Sequence, residues 1–179
     1  MNSSMSSVIN IELFFYLAAV MAIIASIKVI STHNTVHALL YLVVSLLAVA
    51  VCFYLMGAPF AAGLEVIVYA GAIVVLFVFA VMMFGLGTDE TLNAPQVRGI
   101  SIWTGPILLA TALLVELIYI ISHSGLQKQL SIDVVDAKQV GILLYGPYLL
   151  AVEIASFLLL AGLLAGYHYA KPEEHGGHL

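Results

Sequence analysis

Glu65 and Tyr69 stand four residues apart inside the apolar run 63–84. On an α-helix that spacing puts the carboxylate and the phenol on one face, one turn apart. A carboxylate and a hydroxyl kept in a segment that lipid would prefer to fill with leucine mark a working part and not only an anchor: a proton path or gate, or a carboxylate and a phenol satisfied by neighbouring helices. Gly71 follows half a turn later, within Ala70-Gly71-Ala72 and among β-branched Val and Ile. Glycine inside a helix costs about 1 kcal/mol relative to alanine. Two readings of it stand level. It lets a neighbouring helix approach closely, or it permits a π-bulge, a one-residue change of register common at functional sites. A bulge that forms and relaxes would rotate Val74, Val75 and Phe77 relative to Glu65 and so open or close a water path.

Two further carboxylates, Glu116 and Glu153, fall inside apolar runs. A charge at the bilayer centre costs about 2.5–3.5 kcal/mol on insertion scales, so each must meet protein or water, or carry a proton. Glu65 is expected about one turn into its helix, Glu116 toward the end of its helix, and Glu153 nearest the middle of its own. Each is either a proton-path residue or a carboxylate bonded to a neighbouring subunit. Tyr145 and Tyr148 bracket Gly146-Pro147, the mark of a turn or a helix start. His33 and His37, four apart, would share a helix face, but no third metal ligand stands near them. His168, His175 and His178 belong to a polar tail. Met82-Met83 with Phe77, Phe79 and Phe84 reads as packing. The single cysteine, Cys52, can neither close an internal disulfide nor ligate an iron–sulfur cluster, which takes about four thiolates.

The elements that must position these groups are membrane helices. The chain is 63% hydrophobic and 8% charged, with a mean hydropathy of +1.14, where soluble domains carry about 25% charged residues. The expected fold is all-α: a polytopic protein of five transmembrane helices in one integral membrane domain, residues 1–179. The helices fall near 9–27, 36–56, 61–84, 100–121 and 140–169. The fifth run exceeds one crossing, which takes about 20 residues, so it should include an interfacial turn or a tilt. The amino terminus lacks the basic residues of a signal peptide, and the first run reads as a retained helix. No basic patch suggests nucleic acid. Lys28, Arg98 and Lys171 lie on one side of this topology, Lys128 and Lys138 on the other. The positive-inside rule then puts the amino terminus outside and the carboxyl terminus in the cytoplasm.

Three segments together resemble a known family: Val36-His37-Ala38-Leu39-Leu40-Tyr41-Leu42, the run from Gly63-Leu64-Glu65 through Tyr69-Ala70-Gly71-Ala72 to Phe77-Val78-Phe79, and Gly146-Pro147-Tyr148-Leu149-Leu150-Ala151-Val152-Glu153. They resemble the J subunits of bacterial proton-pumping NADH:quinone oxidoreductase, respiratory complex I, counterparts of the mitochondrial chain-6 subunit. The likeness covers about residues 23–169. It implies a five-helix membrane-arm subunit in the bacterial inner membrane, packed against subunits A, H and K. NADH, FMN, iron–sulfur clusters and quinone would belong to other subunits, with no cofactor or metal here and no catalytic centre in this chain alone. In the family the third helix switches between π-bulged and regular forms, and the switch is linked to a water path. Carried over, Tyr69, Gly71, Val75 and Phe77 are the gate positions, Glu65 lines the path, and Glu153 is a further proton-path candidate.

Read from its residues alone, the chain offers one visible bistable element, the third helix. Coupling needs such an element and a differential interaction with its two states. The competing expectations are a scaffold that only holds the arm together, and a small subunit of a related cation/proton antiporter assembly. A stand-alone transporter is disfavoured, because no internal repeat is detectable.

Overall fold

The computed structural model describes residues 2–83, 101–122 and 134–171. The loop at 85–99 with Arg98, most of the loop after residue 122 with Lys128, and the tail histidines His175 and His178 lie outside them. The described residues are helical, with no strand among them, and five helices are long and apolar enough to cross a membrane. They fall into two compact units, 1–135 and 136–179.

The first unit starts with a hairpin of α1 (Asn2–Ser31) and α2 (Thr35–Leu55). Ala18 and Ala25 of α1 and Ala48 of α2 are fully buried. Side chains this small let two helix backbones approach closely, the usual device where lipid removes the hydrophobic drive between helices. The Ser26 and Ser45 hydroxyls share a 2.8 Å hydrogen bond across the pair, and Ser45 Oγ donates to the Ala22 carbonyl at 3.2 Å. Asn34 caps α2: its Oδ1 accepts from the Val36 and His37 N–H groups, satisfying donors the first turn leaves orphaned.

The α2 C-terminus closes in a Schellman motif. The Ala58 N–H donates to Phe53 O and the Gly57 N–H to Tyr54 O, with Gly57 at φ 84°, the left-handed conformation glycine adopts without penalty. Pro59 then opens α3 (Pro59–Leu64), where its missing N–H costs nothing. The Val135 N–H donates to Gly57 O at 2.9 Å, so residues 134–135 and the α2–α3 turn lie at the same end of this unit.

The third span does not continue as an α-helix. At Glu65 the backbone N–H is shared between Ala61 O and Ala62 O. Residues Glu65–Ile73 then form a π-helix, and the Val74 N–H reaches back five residues to Tyr69 O before α4 (Val74–Met83) resumes. Of the two readings open for Ala70-Gly71-Ala72, the π register is the one present. A Cβ on Gly71 would sit 3.1 Å from Val66 O, the carbonyl five residues back.

The fourth span is α5 (Ser101–Ser122), which packs on α1 and α2. Leu113 and Ile120 join Ala18, Met21, Val44 and Val51 in one apolar core. Phe14 and Tyr119 rings meet at 4.9 Å.

In the second unit, the run expected at 140–169 divides. Helix α6 (Ala137–Leu144) starts at Asp136, whose carboxylate accepts from the Ala137 N–H. A turn at residues 145–148, centred on Gly146-Pro147, leads to α7 (Leu149–Ala170), which buries none of its residues.

Candidate functional site

The third span carries most of the candidate residues, and its π register decides which way each faces. Glu65 is 8% exposed, Ala70 8% and Val74 2%, whereas Tyr69 is 51% exposed. The buried line therefore runs 65, 70, 74, a step of five and then four. The expectation that Glu65 and Tyr69 share one face assumed an α-helix throughout. The wider π turn advances the inward position from Tyr69 to Ala70 and turns the phenol outward. Gly71, Val75 and Phe77 are exposed as well. Within unit 1, then, Glu65 sits on the buried side and Tyr69, Gly71, Val75 and Phe77 on the open face.

Glu153 belongs to the second unit. It lies four residues past Leu149, about one turn into α7, and is exposed. It was expected nearest the middle of its helix. The turn at Gly146-Pro147 starts a new helix closer to it than the unbroken apolar run suggested. Its carbonyl accepts from the Ser156 hydroxyl at 2.7 Å. His33 sits in the turn before α2 and His37 in the first turn of that helix, so the pair does not share a helix face. His37 instead meets Trp103 edge-on, ring centroids 5.7 Å apart. Among the described residues no three His, Cys, Asp or Glu side chains gather as a metal site.

Sequence reasoning missed two features. One is the contact of α2 with the start of α5: Gly105 lies directly under the Tyr41 hydroxyl, leaving no room for a Cβ. The signal was there in His37 and Tyr41, one turn apart, and in a glycine two residues past Trp103. The other is an apolar cavity of about 380 Å³ between α2, the start of the third span and α5, lined by Val51, Tyr54, Ala62, Val66, Leu113 and Leu117. Cavities between helices of different spans leave no mark on a single sequence.

Chemically, the third span offers one buried carboxyl at the entrance of a π segment and an open face bearing a phenol, a glycine and apolar side chains. The one thiol, Cys52, is half-buried in α2, and one thiolate does not hold a cluster.

Comparison with known proteins gives a consistent answer. The family described as NADH-ubiquinone/plastoquinone oxidoreductase chain 6 matches residues 25–168. The protein named NADH-quinone oxidoreductase subunit J from Pseudomonas aeruginosa is 51% identical over 162 residues, 90% of this chain and 98% of the relative. Its namesake from Escherichia coli K12 is 49% identical over 167 residues, 92% of this chain and 89% of the relative. One from Buchnera aphidicola subsp. Schizaphis graminum is 42% identical over 163 residues, 91% and 99% respectively.

Proposed function

Because this chain belongs to the NADH-ubiquinone/plastoquinone oxidoreductase chain 6 family, we propose that it serves as the J-type membrane-arm subunit of a bacterial complex I and couples quinone reduction to proton translocation. Membership of the complex follows from identity near 50% over almost the full length of chain and relatives. Five helices long and apolar enough to cross a membrane, taken with the family, support a location in the bacterial inner membrane. The finer reading is that it does no redox chemistry itself. NADH, FMN, iron–sulfur clusters and quinone would sit on other subunits, with A, H and K as its neighbours. Its amino terminus would face the periplasm and its carboxyl terminus the cytoplasm.

The observation that carries the coupling role is the π-helix at Glu65–Ile73. A π segment and an α-helix of the same sequence differ in register by one residue, so interconversion turns α4 relative to Glu65. The side chains that would move, Val75 and Phe77, lie on the exposed face, where a neighbouring subunit can read them. The two registers would present different contacts, as coupling requires.

Gly71→Leu tests it in membranes, with assembled complex, NADH:quinone turnover and proton pumping measured in one preparation. Normal assembly with pumping reduced several-fold is the expected result. Activity falling only in proportion to assembled complex would instead make Gly71 a packing residue and the chain a scaffold. Normal values throughout would remove the gate from this segment.

A further inference from the structure

We propose that Glu116 is a proton-binding site separate from the third span, a carboxylic acid held neutral in the seam between α5 and the α1–α2 hairpin. Glu116 is 3% exposed, less than Glu65, and neither carboxyl oxygen has a hydrogen-bond partner among the described residues. Its helix neighbours at three residues back and four residues on, Leu113 and Ile120, are both part of the apolar core shared with α1 and α2. The carboxyl therefore lies on the packed side of α5. An ionised carboxylate without a partner in such surroundings is among the most unfavourable arrangements a protein can hold, whereas the neutral acid is tolerated.

Among the described residues the surrounding groups offer no countercharge. From α2, the titratable Cys52 packs against the same core. A thiol is at most a weak donor, and a thiolate would repel the carboxylate. The residues α1 contributes to this core, Ala18, Met21 and Ala25, are apolar, and Glu12, Tyr16 and Lys28 of α1 are exposed. His37 and Tyr41 of α2 lie against Trp103 and Gly105, about three turns along α5 from Glu116. Tyr54 and Tyr119 can supply hydroxyls but no positive charge.

Proton occupancy and closure of the seam are then linked. The neutral acid suits a dry seam, and losing the proton requires water or a cation to enter, which means parting α5 from the hairpin. The reverse also holds: opening the seam releases the proton. Glu116 thus binds one proton when the first unit is closed and gives it up when it opens.

Infrared spectroscopy on the assembled membrane complex tests this, comparing wild type with Glu116→Gln and Glu116→Leu at neutral pH. The expected result is a protonated-carboxyl C=O band in wild type that is lost in both variants and shifts on transfer to D₂O. Should neither variant assemble, Glu116→Asp keeps an acid, and the band should move rather than vanish. A spectrum unchanged by every assembling variant would overturn the proposal. So would a band that does not respond to D₂O under turnover, since the proton would then never be released.

Discussion

The Tyr41 hydroxyl sits over Gly105, where an added Cβ would overlap it. Gly105→Ala forces the ring aside or the helices apart, and overpacking of this kind costs about 1–3 kcal/mol. We expect a lower melting temperature of the purified assembly for Gly105→Ala. Adding Tyr41→Phe should recover most of the loss, because removing the hydroxyl removes the overlap. If the double variant is no better than the single, the contact is not where the strain lies. Glu116 follows a different rule. A leucine there replaces an unpartnered polar group with apolar volume, a change that is often neutral or stabilising. The assembly with Glu116→Leu should melt no lower than wild type, even as its infrared band disappears.

Among the elements, the α2–α3 turn and the π segment depend on glycine for different reasons. Gly57 adopts φ 84°, a conformation that costs an L-residue roughly 1–2 kcal/mol. Gly57→Ala should therefore lower the melting temperature while leaving coupling per assembled complex unchanged, measured as protons pumped per NADH oxidised. Gly71 makes room for a carbonyl at 3.1 Å, so Gly71→Leu should alter coupling more than stability. The five apolar runs were plain in the sequence because each is long enough to cross a bilayer. The turn at Gly146-Pro147 was legible because proline and glycine punctuate helices. The π register was legible only as one of two readings of Ala70-Gly71-Ala72, since a single glycine serves close packing and a register shift equally. The orientation of Tyr69 was not legible, because which face a residue takes after a π turn depends on that register. The depth of Glu153 was misjudged for a related reason: apolar composition continues through a turn that backbone geometry interrupts.

At the scale of the whole molecule, a large apolar surface remains exposed, including Leu150, Phe157, Leu159 and Leu163 of α7 and the outer face of α4. Exposed patches on this scale belong to lipid or to partner chains. Sidedness was legible as a three-to-two charge bias, because few cations flank the helices. It predicts that a cysteine introduced at Thr32, in a Cys52→Ser background, reacts with a membrane-impermeant maleimide from the cytoplasmic side only. A cysteine at Ala58 should react from the opposite side only. Thr32 labelled only from the periplasmic side and Ala58 only from the cytoplasmic side would invert the assignment, and labelling of both from one side would deny that α2 crosses the membrane.

The step of five between Glu65 and Ala70 has a genetic meaning. A π turn is a helix carrying one codon more than its register needs, and its natural counter-mutation is a deletion. Ile67, which is 70% exposed, is the residue to remove. Without it Ala70 stands four residues after Glu65 and Val74 eight after it, the spacing of an uninterrupted α-helix with the same three side chains inward. Such an in-frame deletion within the helix would keep the packing against α2 and abolish the choice between registers. The resulting strain would be a frozen allele, able to build the complex and unable to switch it.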